Sequence, residues 1–247
     1  MRSKPRITKS AQMLRRMYMT LLHAYGPQQW WPAQTPLEVV VGAYLTQNTS
    51  WRAVEKSIEN LRRQGVLNID GLRAISEDEL RTLIKPSGFM LRKASSIKAF
   101  ICFLDHEYDG SLTRFSEQDT TKARHQLLGL PGVGPETADA ILLYALGHPV
   151  MVVDEYLRRL VTRHQLAPEK VRYQEVQELA LDAFAKDEAP LRAQHYNEFH
   201  ALVVELGKRH CKRLPQCEGC PLSKSIFDPP HLPPSTVRQD GKAAAKN

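Results

Sequence analysis

Hydrophobic residues recur every three to four positions along most of the chain, which is the spacing of an amphipathic α-helix. A shorter helix is predicted to begin near Ser76, because Ser76 and Glu79 form a capping-box pattern. No segment alternates apolar and polar residues as a half-buried strand does. The pattern therefore predicts an all-α fold, with longer helices over residues 11–25, 36–45, 52–64, 91–108, 120–129, 135–146, 155–165, 171–184 and 194–209.

Two of these predicted helices, 120–129 and 135–146, are joined by the segment Leu130-Pro-Gly-Val-Gly-Pro. Gly132 and Gly134 suit a tight turn, and Pro135 suits the first position of a helix, where its missing N–H costs nothing. The free amides at the start of the second helix can bind a phosphate. The hairpin therefore favours a nucleic-acid backbone as the ligand.

An apolar run, Val150-Met-Val-Val, follows the hairpin and ends at Asp154. Asp154 directly precedes the helix predicted for 155–165, so it could simply cap that helix. A carboxylate at this place could equally be a reactive group.

The composition narrows the classes of protein. The 247 residues are 42% hydrophobic and 25% charged, which allows one large or two modest domains. The net charge of +7 and the pI of about 9.3 favour a polyanionic partner. No apolar run is long enough for a membrane span and the N-terminus lacks an apolar signal segment, so we expect a soluble cytoplasmic protein without a membrane partner.

Two further segments are candidates for contacts with bases. Trp30 and Trp31 are adjacent in a loop-like stretch, so we expect their rings to point in different directions. Both could anchor the segment to the core, or one could do so while the other offers a stacking platform to a flat ligand. A polar stretch, Thr46-Gln-Asn-Thr-Ser, separates two apolar helices and precedes Trp51. It could act in helix capping or in binding.

In this order, the motifs resemble those of the helix-hairpin-helix (HhH-GPD) DNA glycosylase superfamily, which includes endonuclease III. The resemblance implies that Asp154 is catalytic and that Gln47 fills the gap left by an extruded nucleotide. It implies that Phe89, in Pro-Ser-Gly-Phe, wedges between bases, although a loop Phe can also be a packing plug. The hairpin residues implied to contact double-stranded DNA are Gly132, Val133, Gly134 and Thr137.

Local motifs are similar to a narrower group, 3-methyladenine DNA glycosylase III. The similarity covers roughly residues 25 to 210. It implies that an alkylated purine stacks between Trp30 and Trp51, whose faces attract a cationic ring, although Trp51 could also be a core residue. The residues implied to form the base pocket are Trp30, Trp31, Pro32, Trp51 and Glu136.

Glu136 stands where the bifunctional members of the superfamily carry a lysine that attacks the sugar. Because a carboxylate cannot form an imine, we expect a glycosylase without lyase activity. In such an enzyme Asp154 activates or orients a water molecule and stabilises the positive charge on the deoxyribose. A monomer is sufficient for this reaction, and bacterial or archaeal DNA in the nucleoid is the expected location.

The resemblance also implies two lobes. Residues 28–150 would form a six-helix barrel domain with the hairpin, and residues 1–27 together with 151–226 would form a second helical domain. The composition of residues 227–247 predicts a disordered tail.

Three cysteines, Cys211, Cys217 and Cys220, are clustered near the end of the chain. Endonuclease III holds a [4Fe-4S] cluster on Cys-x6-Cys-x2-Cys-x5-Cys, whereas here the first gap is shorter and Ile226 occupies the fourth position. A cluster would need an atypical fourth ligand. Zinc is an alternative, as is a loop without metal; the nearby candidates for a fourth ligand are His210, Asp228 and His231.

Three functions remain open from the sequence. The first is a monofunctional glycosylase for alkylated purines such as 3-methyladenine. The second is an endonuclease III-like glycosylase for oxidised pyrimidines or mismatched bases. The third is a helix-hairpin-helix protein that binds DNA without catalysis.

Overall fold

The computed structural model describes residues 8–223, and within this range it contains helices and no strand. The prediction of an all-α fold is confirmed. The helices are α1 (Lys9–Tyr25), α2 (Pro36–Leu45), α3 (Trp51–Arg63), α4 (Ile69–Ala74), α5 (Glu77–Leu83), α6 (Met90–Tyr108), α7 (Leu112–Ser116), α8 (Thr120–Leu128), α9 (Pro135–Ala140), α10 (Glu155–Arg163), α11 (Tyr173–Ala183) and α12 (Ala189–Arg209).

Most helix ends lie close to the predicted ones, because local capping decides them. Ser76 and Glu79 form the predicted capping box at the start of α5, with the Glu79 N–H donating to Ser76 Oγ at 3.2 Å. The helix α12 begins earlier than predicted, at Ala189, since Pro190 is accepted in its first turn. Neither α4 nor α7 was predicted, because helices this short show too little periodicity.

The helix after the hairpin departs from the prediction of a regular helix over 135–146. The α-helical part, α9, ends at Ala140 and continues as a π-helical turn over Ile141–Ala145. The Leu146 N–H donates to the Ile141 carbonyl at 3.1 Å, which is the wider π spacing. Such turns often occur at functional sites.

Helices distant in sequence meet around the segment that contains Asp154. The first helix, α1, packs on α11 and α12, while α12 also contacts α10 and the π turn. The hairpin helices α8 and α9 pack together, and α9 contacts α2. The predicted domain boundaries stay a prediction, and the tail assigned to 227–247 lies outside the described residues. No helix in residues 8–223 is long and apolar enough to cross a membrane.

Candidate active site

Asp154 caps a helix with one carboxylate oxygen and directs the other toward a histidine. Its Oδ1 accepts the Leu157 N–H at 2.8 Å, so the residue caps the N-terminus of α10. Its Oδ2 faces Nε2 of His200 at 3.5 Å, and the Asp154 side chain is 13% exposed. One carboxylate oxygen therefore holds the helix, and the other remains available for chemistry.

A buried polar network fixes the backbone just before Asp154. The fully buried Asp139 carboxylate accepts from Arg124 at 2.7 Å, from the Tyr173 hydroxyl at 2.7 Å and from Gln177 at 2.7 Å. Gln177 also donates to the Met151 carbonyl at 2.9 Å, and the Val153 N–H donates to the Tyr173 oxygen at 3.3 Å. Each buried polar group thus has a partner, and the network positions residues 151–153.

His200 of α12 is the partner of Asp154 that the sequence did not predict. It lies 2.5 Å from the Tyr144 hydroxyl through Nδ1, and its Nε2 is buried without a hydrogen-bond partner. Burial raises the pKa of Tyr144 well above its usual value, so the phenol keeps its proton and is able to donate it to an unprotonated Nδ1. In the neutral imidazole the remaining proton is then on Nε2, directed at Asp154.

The closeness of His200 and Asp154 depends on a glycine in α12. A Cβ at Gly207 would lie 2.0 Å from Cδ1 of Tyr156, which belongs to α10. A larger residue can occupy Gly207 only if the Tyr156 ring or one of the two helices moves. Gly207 therefore helps to set the spacing between the helix that begins after Asp154 and the helix that carries His200.

A cavity of about 290 Å³ lies beside this pair. Trp31 and Tyr144 give it an aromatic side, and Gln47, Glu136 and His200 give it a polar side. Its size is near the lower end of the range for small-molecule sites. The complete lining consists of Trp31, Ala43, Thr46, Gln47, Asn48, Glu136, Thr137, Ala140, Tyr144, Val152 and His200.

Glu136 lies in the first turn of α9, and its carboxyl group interacts electrostatically with Asp154. Part of its side-chain surface is exposed, but the surrounding walls of the cavity displace water, and this burial raises its pKa. The negative Asp154 raises the pKa of Glu136 further, whereas His200 lowers it when its imidazole is protonated. The cavity therefore contains the Glu136 carboxyl group and the His200 imidazole, and Asp154 lies beside His200, outside the lining.

The three tryptophans form one cluster, so the expectation that Trp30 and Trp31 point apart is wrong. Their ring centroids are 5.6 Å apart, and the Trp51 centroid lies 5.7 Å from Trp30 and 5.4 Å from Trp31. The alternation expected of an extended chain does not hold for this pair, which is joined by a cis peptide bond.

Within this cluster, Trp31 borders the cavity, whereas Trp30 and Trp51 do not. The rings of Trp30 and Trp51 are in direct contact, so a base can enter between them only if they separate. The stacking of a base between them stays a prediction. The exposed Pro32 lines a neighbouring cavity, which Trp31 and Trp51 also border.

The two glycines of the hairpin have different roles. Gly132 has a φ of 77°, and a Cβ there would lie 2.5 Å from Ser96 Oγ, so both backbone conformation and space favour glycine. Gly134 is extended at the N-cap of α9, and a Cβ there would meet nothing within 4 Å. Gly134 therefore leaves open space in front of the first-turn amides.

The other predicted hairpin contacts support the turn from within. The Val133 side chain is buried, and its N–H donates to the Leu130 carbonyl at 3.2 Å. Thr137 is also buried, and its Oγ1 accepts from Gln47 Nε2 at 3.0 Å. Gln47 also donates to the Gly132 carbonyl at 2.9 Å, which ties it to the hairpin. Direct DNA contacts of these residues stay predictions.

Phe89 is 60% exposed and directly precedes α6. Such exposure contradicts a packing plug and leaves the ring free for a ligand. Leu91, which the sequence did not single out, is 63% exposed nearby. The two side chains form an apolar projection on this side of the molecule.

Arg163 binds the loop that carries the clustered cysteines. It donates to Cys211 Sγ at 3.1 Å and to the carbonyls of Lys212 and Arg213 at 2.7 and 2.8 Å. Burial raises the pKa of the Cys220 thiol. Within residues 8–223 no three Cys, His, Asp or Glu side chains converge closely enough to hold a metal ion. A metal on the three cysteines therefore stays a prediction, and the fourth-ligand candidates Asp228 and His231 lie outside the described residues.

Comparison with known proteins identifies a family and a relative that this chain resembles. A family model described as HhH-GPD superfamily base excision DNA repair protein matches residues 41–186, more than half of the chain. A curated protein of Methanocaldococcus jannaschii, described as a candidate DNA repair glycosylase, is 41% identical over 214 residues. The match covers 86% of this chain and 95% of that relative.

Solved structures give a consistent result. The 3-methyladenine DNA glycosylase of H. pylori bound to 1,N6-ethenoadenine has a TM-score of 0.70 and 31% sequence identity, covering 82% of this chain and 98% of its own. Endonuclease III trapped in a covalent complex with DNA has a TM-score of 0.70 and 23% identity, covering 86% and 93%. At that identity the second comparison concerns the fold.

Proposed function

Since the chain belongs to the HhH-GPD superfamily of base excision DNA repair proteins, we propose that it is a monofunctional DNA glycosylase for alkylated purines. It is a DNA glycosylase; the lesion and the absence of lyase activity are the proposed parts. The substrate is double-stranded DNA with a base of the 3-methyladenine type. The observation that carries the proposal is Glu136, which lines the cavity at the start of α9 and interacts electrostatically with Asp154.

The lack of a nucleophilic amine supports hydrolysis without strand cleavage. A lyase step needs a neutral amine that attacks the sugar carbon and forms an imine, which Glu136 cannot do. None of the described residues that line the cavity is a lysine. Water is therefore the nucleophile, and the products are a free base and an intact abasic strand.

Asp154 supplies the charge that this reaction needs. As the bond between the sugar carbon and the base nitrogen breaks, the base takes the electron pair and positive charge develops on the sugar. The Asp154 carboxylate stabilises that charge and receives the proton of the attacking water. His200 keeps the carboxylate oriented through Nε2, and the capping bond to Leu157 fixes its other oxygen.

The cavity supports an alkylated purine as the leaving base. An adenine methylated at N3 in DNA is cationic, so it leaves as a neutral molecule and gains from contact with aromatic faces, such as that of Trp31. The negative charges of Asp154 and Glu136 favour the same cation. The H. pylori relative, a 3-methyladenine glycosylase, is consistent with this class of lesion.

The DNA-facing features support a base that is extruded from the duplex. The open first turn of α9 in front of Gly134 suits a backbone phosphate, and the exposed Phe89 suits an opened base step. Gln47 borders the cavity and is held by the hairpin, so it lies at the place from which a base would leave the stack. One copy of the chain is sufficient, and we propose a monomer.

The lesion class is tested by incubating the purified protein with four duplexes and measuring free base by chromatography. The duplexes carry 3-methyladenine, 1,N6-ethenoadenine, an oxidised pyrimidine or a mismatched thymine. We expect release of alkylated purines and an uncleaved abasic strand. Release of only the oxidised or mismatched base would replace the proposed lesion. DNA binding with no release from any duplex would support the non-catalytic alternative.

A further inference from the structure

Lys93 is a buried cation that the proposed reaction does not use. It projects from α6, is 3% exposed and donates from Nζ to three oxygens. These are the Leu45 carbonyl at 2.8 Å, Thr49 Oγ1 at 2.6 Å and the Ser87 carbonyl at 2.8 Å. All three donors of the ammonium group are thereby used.

The three acceptors connect two loops that are separate in sequence. The Gln47 loop is defined here as residues 46–50 and the Phe89 loop as residues 85–89. Leu45 and Thr49 belong to the end of α2 and to the Gln47 loop, whereas Ser87 belongs to the Phe89 loop. The Thr49 hydroxyl also donates to the Ser87 carbonyl at 2.7 Å, so the loops contact each other directly.

Both loops have backbone conformations that need support. Asn48 and Phe89 have φ values of 52° and 47°, in the left-handed region that residues other than glycine seldom adopt. Lys93 Nζ lies 5.8 Å from the centroid of the Phe89 ring, within the range of a cation–π contact. One ammonium group therefore contacts the elements that present both Gln47 and Phe89.

Burying the charged ammonium group of Lys93 in the core costs folding free energy. No carboxylate is paired with it among the ion pairs of residues 8–223, and burial lowers its pKa to about 8, with a further effect from Arg92. A methionine would fill the same space without this cost. The three directed hydrogen bonds are what a methionine could not supply.

We propose that Lys93 is a positioning residue that locks the Gln47 loop and the Phe89 loop into one unit, so that both loops enter the DNA together. The inference rests on the proposed function, because it assigns the two loops to the opening of the duplex. Lys93 does not touch the extruded base. Its effect is on the step that extrudes the base.

The first test examines the free protein, without a substrate. Lys93→Met removes the three hydrogen bonds and keeps the side-chain length. Lys98→Met is the matched control, because Lys98 lies on the same helix and also donates to three carbonyls, those of Leu72, Arg73 and Ile75. Hydrogen exchange followed by mass spectrometry is expected to be faster in both loops for Lys93→Met, and in neither loop for Lys98→Met. Faster hydrogen exchange in only one of the two loops would contradict the proposal that Lys93 couples them.

The second test uses excision of 1,N6-ethenoadenine from a fully paired duplex and from the same strand without its complement. Lys93→Met is expected to slow excision from the duplex about tenfold or more, and to change excision from the single strand much less. Equal losses on both substrates would overturn the role in opening DNA. If the wild-type protein excises the base from neither substrate, the proposed lesion class is contradicted. The hydrogen-exchange result then still decides whether Lys93 couples the two loops.

Discussion

The contact between His200 and Asp154 allows a quantitative test of how the carboxylate is controlled. His200 Nε2 lies 3.5 Å from Asp154 Oδ2, and Nε2 has no other hydrogen-bond partner. At this distance the interaction is weak in the free protein. It strengthens if the atoms approach as charge develops on the sugar, so its loss should lower kcat more than it raises KM.

The expected size follows from hydrogen bonds to charged groups, which contribute about 1.5–3 kcal/mol. If this energy is gained mainly in the transition state, replacing His200 by Leu lowers kcat by about 10- to 100-fold. Gln is the matched substitution, because its amide can still donate toward Asp154. We expect His200→Gln to recover part of the loss. Tyr144→Phe should show a smaller loss, since it removes only the hydroxyl that orients the imidazole.

The assay is single-turnover release of the alkylated base at saturating enzyme, with circular dichroism and thermal melting to confirm that each variant is folded. His200 is buried, so a variant that melts much earlier is compared only at a temperature where it is folded. Full activity of His200→Leu in folded protein would refute the reasoning. Equal losses for the Leu and Gln variants would show that packing, rather than the directed proton, is what His200 contributes.

Three further predictions concern the hairpin, the cavity and the cysteine loop. Gly134→Ala should keep its melting temperature and lose affinity for duplex DNA, whereas Gly132→Ala should be destabilised by about 1 kcal/mol or more because its φ is 77°. Glu136→Gln should melt at a higher temperature than wild type at pH 7, because burial and Asp154 raise the Glu136 pKa and so make its ionised form unfavourable in the folded state. This gain should vanish below the ordinary glutamate pKa of 4.5, where both states bind the proton. Finally, we expect iron or zinc in the purified protein and its loss in Cys217→Ser, although Arg163 would first have to release Cys211.

Each of these three has a result that contradicts it. Unchanged DNA affinity in Gly134→Ala would mean that no phosphate approaches the start of α9. A lower melting temperature of Glu136→Gln at pH 7 would mean that the ionised carboxyl group stabilises the fold. Fully active protein without metal would leave Arg163 as the group that holds the cysteine loop.

The features that could be predicted from sequence are those set by local rules. The capping box at Ser76, the turn at Gly132 and the exposed loop position of Phe89 all depend on neighbouring residues. The all-α fold follows in the same way from periodicity. The resemblance to the superfamily implied a catalytic Asp154, and the structure was needed to show that one of its oxygens caps α10 while the other faces His200.

The features that were missed depend on contacts between distant segments. His200 lies in an apolar stretch of α12, and its partner Tyr144 lies in a π turn that the sequence pattern did not indicate. Lys93 is not distinguished from a surface lysine by its neighbours in sequence, because the three oxygens that surround it come from two separate loops. A polar residue among apolar helix neighbours, as at His200, was the one signal that could have been followed.

The most direct test of the central claim compares wild type with Asp154→Asn on a duplex containing 3-methyladenine, with and without borohydride. Asn still offers a side-chain oxygen to the Leu157 N–H, so the start of α10 is preserved and only the charge is removed. The account predicts that wild type releases free base and forms no borohydride-trapped adduct, and that Asp154→Asn releases almost none. A trapped covalent adduct with wild type, or unchanged release by a folded Asp154→Asn protein, would contradict it.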